Sequence, residues 1–554
     1  MKRKTKVGLL GIVRKTIKNY QKGKEMNKFM KRTTIGSVMR GICYGFAALL
    51  FAASCANDDV AQDEKQKKDN IPAGTTVFTG TSQPDATTRT AILNHTKGTG
   101  ASVNWSSTDK IWVKDDAGTW QQSAAATIPS AANLSVAKFS LSGTYTGASH
   151  DIIYTNTAVT GSQPQVEIKA TQTQSAPNNF NHAGESGDCG IATGNKAGND
   201  YTFTLNHKAS YLCLIPRTNN EYVKRSTLIK VEIMSDDEIA GTYNMAADGT
   251  LTLASGGSKT ITVTTGSGFA IDNAADDMNK NATYAVVAPG THTFRIRYWL
   301  RNTTDNPRGA IEGTVSKIVT LNCTAGSIHD ITANLNPHDY DGDHYYMWDA
   351  QQQYWYGYEW TKNLAVGTGQ PTNIFQTSGN CALSNSDVFR WYHEGGGSGR
   401  FDATQSCATL PNANEMTWYA EKGNPCWDGD ELWTTMGHLY KGGMWFKKKA
   451  NISGYNANTG ADGIDWRTID NMESWSVSNI LPSAVDAGNY FYLPALGVYN
   501  AGSLNDIGSQ SCYWSSSASP SLRSCAYSLR FFKSGILLSS SSIRHNGFRA
   551  EAFL

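Results

Sequence analysis

The sequence predicts a mostly β protein of two or three domains, and three observations carry the prediction. At 554 residues the chain is longer than one hydrophobic core sustains, given the usual ~100–200 residues per domain. Charged residues make up only 17% while Gly numbers 52 and Tyr 25, a balance that favours strands over Ala/Glu/Lys/Leu helices. From Ile71 onward, short Thr/Val/Ile/Tyr runs alternate with Gly, Asn, Asp and Ser clusters about every ten residues, the spacing of antiparallel strands and their turns.

The leader comes first. Lys28, Lys31, Arg32 and Arg40 precede an apolar run, residues 41–54, that ends in small residues before Cys55. That run falls short of the ~20 apolar residues needed to cross a bilayer and leads straight into Asn57, Asp58 and Asp59, so residues 1–54 read as a signal peptide. The residues before Met26 look superfluous to it, which makes Met26 or Met30 an alternative start. Small residues before a cysteine resemble the site of a lipoprotein signal peptidase, which makes Cys55 the expected lipidation site, although Ala52 stands where Leu is usual. The alternative is ordinary secretory cleavage with Cys55 as a spare thiol. Residues 55–72 are polar, charged and free of aromatics, and form the expected flexible tether. The acids after Cys55 resemble the signal that sends lipoproteins of gut Bacteroidota to the outer face of the outer membrane, so a lipid-anchored, surface-exposed protein is expected.

Cleavage removes thirteen of the 49 Lys/Arg and one of the 47 acids, which turns a formal charge of +2 into −10. An acidic chain with no basic, aromatic-laced stripe is not expected to bind nucleic acid.

Strand-like runs include residues 75–79, 102–105 and 110–113. Strict alternation at 201–205, 228–233 and 294–298 predicts antiparallel strands with one face packed and one face wet. Trp105 and Trp112 are the expected core anchors, and His207, within an alternating run, is expected to be a hydrogen-bonded structural residue.

Thr88-Arg89-Thr90, Val103-Asn104-Trp105, the run from Asp109 to Val113, the stretch from Phe203 through His207 to Leu214, and the run from Ala325 to Leu335 together resemble the fimbrillin family, pilus subunits of Bacteroidota. The resemblance spans about residues 73–336. It implies two transthyretin-like β-sandwiches, 73–195 and 196–336, and no catalytic activity. It also implies proteolytic processing after Arg89 and assembly with other pilus subunits by strand complementation; the plain alternative for Arg89 is a solvated arginine in a Thr-rich loop.

Composition shifts after Asn336, and residues 337–554 are crowded with Trp, Tyr and Gly. The segment Cys407 to Glu415, Tyr492-Leu-Pro-Ala-Leu-Gly497, Tyr513-Trp-Ser-Ser516 and Gly547-Phe-Arg549 are similar to the Fibrobacter succinogenes major paralogous domain, a C-type-lectin-like α+β module. Two departures matter. Ala550 stands where the family often has a cysteine, which leaves Cys407 without its expected partner. Among Cys381, Cys407, Cys426, Cys512 and Cys525 the first pairing to consider is Cys512 with Cys525, across a hairpin in an oxidising compartment. Secondly, Gln370-Pro371-Thr372 and Trp514-Ser515-Ser516 lack the carboxylates of a lectin calcium site. Asp339, Asp341 and Asp343 are expected in a solvated linker, and Asp428-Gly429-Asp430-Glu431 in a surface turn. No Cys-x-x-Cys pair, zinc-type His cluster, phosphate loop or nucleophile elbow stands in the sequence, so no metal, cofactor or catalytic residue is expected.

Together these features lead to an expectation of cell-surface adhesion. The chain would be a fimbrillin-like pilus subunit at the tip, presenting its C-terminal module to a host or bacterial glycan or protein. A stand-alone surface glycan-binding lipoprotein is the alternative. A modifying enzyme of C-type-lectin fold is a third, and would need a reactive pair among Cys407, Cys426, Cys512 and Cys525.

Overall fold

Residues 111–113 show how alternation builds the first sheet: Ile111 and Val113 are fully buried while Trp112, between them, is only half-buried. Trp112 is therefore not the core anchor expected, because a two-residue period sends it to the face opposite its neighbours. Trp105 is, at 3% exposure, packed edge-on against Phe139, Tyr154 and Phe203. In this computed structural model the described residues are 74–81, 92–93, 95–98, 102–304, 310–359, 381–395 and 399–554. Cys55 and Arg89 lie outside them. Among the described residues no helix is long and apolar enough to cross a membrane.

The first sheet runs Trp120–Gln122, Trp112–Lys114, Ser149–Tyr154, Gly190–Ala197, Asp200–Thr204, Thr76–Thr81, Val136–Leu141. Phe78, Phe139, Tyr201 and Phe203 fill its inner face. His207 is buried at its margin and bonds Asp188 through Nδ1 at 2.9 Å, the structural part expected of it.

The second core lies between a three-stranded sheet, Thr283–Val287, Ser210–Arg217, Ile328–Asn334, and a long sheet containing Ser226–Ser235, Gly290–Asn302 and Ile311–Cys323. Residues 165–189 belong to this core rather than the first. Gln165–Ile168 pairs with Ala240–Met245, Thr171–Thr173 pairs with Thr260–Ala270, and Val166, Ile168 and Phe180 are fully buried there. The cores thus exchange chain on the N-terminal side of residue 195.

In the C-terminal region a six-stranded sheet runs Tyr345–Tyr346, Phe548–Arg549, Gln510–Ala518, Cys525–Phe532, Gly535–Ile543, Met472–Ser476. Asn412 and Glu415 form a reciprocal capping box that starts the helix Ala413–Glu421. Trp514 packs on Phe548 with ring centroids 4.3 Å apart, and its Nε1 donates to the Tyr346 carbonyl. Gly497 has φ +72°, and a Cβ there would run into the Asn505 carbonyl oxygen, so only glycine suits the turn.

Asp339, Asp341 and Asp343 are exposed, as expected of a solvated segment, but the stretch after Asn336 is held in place rather than a loose linker. Asn336 Oδ1 accepts from the Thr218 hydroxyl at 2.7 Å and from the Asn219 and Asn220 amides. His338–Tyr340 then pairs in parallel with Cys426–Thr435, and Thr434 donates to Asp339 at 2.6 Å.

Candidate binding site

Alternation in Gly290–Asn302 points Phe294, Ile296 and Tyr298 into the second core and Arg295 and Arg297 away from it. The sequence predicts that this other face is wet. It is covered: Arg295 and Arg297 are 2% and 8% exposed. What covers them is the hairpin of Cys426–Thr435 and His438–Lys447, which extends the long sheet past Ile311–Cys323 and is itself followed by Tyr490–Pro494. The contact includes a parallel bridge between Thr314 and Glu431.

Asp428-Gly429-Asp430-Glu431 makes this join, and so is not the surface turn expected. The register of the hairpin shifts between Asp428 and Leu432, a bulge that turns successive carboxylates toward the neighbouring strand. Asp428 accepts from Arg297 Nη2 at 2.9 Å, with both side chains nearly sealed from water. Glu431 accepts from the Ser316 amide at 3.1 Å and hydroxyl at 2.6 Å, and from the Thr314 hydroxyl. Arg295 donates to the Pro482 carbonyl at 2.8 Å and lies over the ring of Trp445. Leu432 and Leu439 complete the contact by entering the second core.

Beside this join is a cleft of about 880 Å³. Tyr340, Trp445 and Tyr492 stand half-buried in its walls, with Trp433 sealed behind them. Lys317, Asn336, Asp339 and Glu431 supply polar groups, and Lys448 and Glu551 add one charge of each sign. Burial, reinforced by the Asp428 charge, holds the Glu431 carboxyl above the usual carboxylate range. Burial likewise lowers Lys317, opposed by Glu431. The Tyr492 hydroxyl is buried and has no hydrogen-bond partner. Such a site can stack rings or sugar faces and bond hydroxyls while resisting concentrated charge. Among the described residues the cleft holds no group of three metal-ligating side chains.

No family model matches the chain, and no curated protein matches it. Solved structures with some likeness include a candidate cell adhesion protein of Bacteroides ovatus, 14% identical over 47% of this chain and 91% of that one, with TM-score 0.31. A candidate cell adhesion protein of Bacteroides uniformis is 16% identical over 44% of this chain and 98% of its own, with TM-score 0.24. A fimbrial protein of Bacteroides ovatus is 10% identical over 86% of this chain and 98% of its own, with TM-score 0.23. Likeness this slight carries no argument, and the fold described above rests on its own strands.

The expected bridge between Cys512 and Cys525 is not made; both are free, buried thiols. They lie on adjacent strands, but Cys512 faces Arg530 across the ladder and Cys525 faces Ile543 on the other side. The offset from Arg530 back to Cys525 is on the order of 15 Å of strand, beyond the reach of a disulfide. The landmark residues of the C-terminal motifs are structural too: Arg549 is fully buried, donates to the Asp341 carbonyl at 2.9 Å, and pairs with Glu551.

Proposed function

We propose that the chain is a cell-surface adhesion protein, a fimbrillin-like pilus subunit whose C-terminal module and middle sandwich share a cleft for a neutral, hydroxyl-rich ligand such as a glycan. The observation that carries this is the cleft: three half-buried aromatic side chains beside the Asn336 amide and two groups, Glu431 and Lys317, whose charging burial disfavours. Sugar rings offer apolar faces for the aromatics and hydroxyls for the rest. Lipid on Cys55, a tether over 55–72 and an outward-facing outer-membrane location would set the cleft in front of a host or bacterial surface.

A terminal place in the pilus is supported by two features. Phe548–Arg549 and Phe553 are built into the C-terminal core, so this segment cannot be lent to a neighbouring subunit without unfolding the module. The edge of Ile311–Cys323 is bridged to the Cys426–Thr435 strand at Thr314 and Glu431. A groove opened by processing at Arg89 would then accept a strand, while the 548–553 segment is not free to be lent in return.

Binding rather than catalysis is supported by the thiols. Burial pushes Cys407, Cys426 and Cys512 up to about 12, which leaves these three almost no thiolate at neutral pH.

The test is binding of the mature chain to glycan and host-matrix arrays, with Trp445→Ala as the comparison. A neutral glycan should be bound and its affinity should fall about tenfold or more in the variant; unchanged binding overturns the cleft. Immunogold label at filament ends supports the terminal place. Label along shafts rejects it, and label on cells without filaments favours a stand-alone glycan-binding lipoprotein.

A further inference from the structure

Away from the cleft, three distant stretches of chain converge in the middle sandwich. Cys213 and Asp330 are register partners on the parallel strands Ser210–Arg217 and Ile328–Asn334. His95 reaches them from the 95–98 stretch, which Gly98 ties down by donating its amide to Asp330 Oδ2 at 2.7 Å. His95 Nε2 lies 3.7 Å from Asp330 Oδ1, and imidazole, thiol and carboxylate ligand atoms all fall within 4.8 Å of one another. Cys213 is fully buried and His95 is 3% exposed.

Hydrogen bonding around the cluster orients it. The Tyr284 hydroxyl donates to Asn178 Oδ1 at 2.6 Å, and the Asn178 amide is fixed in turn by donating to Asn279. With its one proton committed, that hydroxyl accepts from His95 Nδ1 at 3.3 Å. That Nδ1–H bond is the kind of outer hydrogen bond that orients metal-ligating histidines, and it turns the Nε2 lone pair of a neutral imidazole toward Asp330. Among the described residues Asp330 Oδ1 is buried and meets no nitrogen or oxygen donor, and its carboxyl has only the Cys213 thiol and the Gly98 amide beside it as proton sources besides His95. A nitrogen lone pair, a carboxylate oxygen and a sulfur thus meet around one point, an arrangement that a cation relieves.

We propose that His95 Nε2, Cys213 Sγ and Asp330 bind one divalent transition-metal ion of the zinc class, which fastens the 95–98 stretch to the middle sandwich. One nitrogen, one sulfur and one oxygen ligand suit zinc, whereas calcium and magnesium require oxygen throughout. Three protein ligands leave one tetrahedral position for solvent. On binding, the Cys213 thiol gives its proton to water and the sulfur lone pair goes to the metal, so occupancy falls as pH drops. Spacing in the sequence gives no sign of this set, because its members come from three separate segments.

The experiment uses the mature chain, stripped with a chelator and titrated with Co²⁺ and then Zn²⁺. One equivalent of cobalt should produce a thiolate-to-cobalt charge-transfer band and the strong visible bands of a tetrahedral ion, which zinc then bleaches; metal should also raise the melting temperature. His95→Gln, which keeps every thiol, and Cys213→Ser should each weaken binding by about a hundredfold or more. If Cys213→Ser does not fold by near-ultraviolet circular dichroism, His95→Gln and Asp330→Asn decide. Absence of the charge-transfer band in the wild type, or its survival in His95→Gln, overturns the proposal and leaves a proton as the only cation the cluster holds.

Discussion

Arg297 and Asp428, 131 residues apart in sequence, meet at 2.9 Å in a place that water hardly reaches. One belongs to the middle sandwich and the other to the C-terminal module, so the pair reports directly on whether the two remain joined. Asp428→Ala should destabilise the chain by about 3–5 kcal/mol, because it strands a buried guanidinium, while Arg297→Met combined with Asp428→Leu should cost far less. Urea unfolding of the three proteins checks this; a loss below about 1 kcal/mol in the single variant would mean a solvated pair.

Glu431 should give the join a pH dependence. Burial and the Asp428 charge raise its carboxyl above 4.5, so the folded chain keeps that proton to higher pH than the unfolded chain does. Its contribution is complete below 4.5 and declines as pH climbs through the raised value. The unfolding free energy of the wild type minus that of Glu431→Gln should therefore fall with rising pH across this window. A difference that grows in favour of the wild type contradicts the assignment.

Tyr492 offers a test with two opposed readouts. Its hydroxyl is buried without a partner, so Tyr492→Phe should hold or raise stability, by up to about 1 kcal/mol, and yet weaken glycan binding. Calorimetry and array binding measure the two. A variant that binds as well as the wild type removes this hydroxyl from the chemistry of the cleft.

At Gly497 the backbone alone should decide the outcome. Gly497→Ala forces a side chain into positive φ and against the Asn505 carbonyl, at a cost of about 1–3 kcal/mol or more. A melting temperature equal to the wild type's would show that the turn can be rebuilt.

Strands, turns and the buried Trp105 were legible in the sequence because they follow from periodicity and side-chain type. The join was not. Arg295 and Arg297 alternate with apolar residues just as they would on a wet face, and alternation says which residues share a face without saying what lies on it. Asp428-Gly429-Asp430 carries the composition of a turn, but the same residues make a bulge when a strand edge stands opposite to receive the carboxylates. Trp112 was misplaced for a simpler reason: size suggested burial, while the period of the strand sent it outward. Cys512 and Cys525 look like partners because a hairpin joins them, but register decides which residues are opposite, and it puts Arg530 and Ile543 there instead.

Residues 165–173 supply one strand to each of two sheets in the second core, Gln165–Ile168 in one and Thr171–Thr173 in the other. If the chain serves in adhesion as proposed above, it works under tension, and this crossing would act as a stitch. A pull on the first sandwich reaches the second through two short ladders before it can peel either sheet, so rupture there requires shearing both sets of backbone hydrogen bonds. Under such a load the boundary between the first two cores would be reinforced by both ladders rather than by a bare connection.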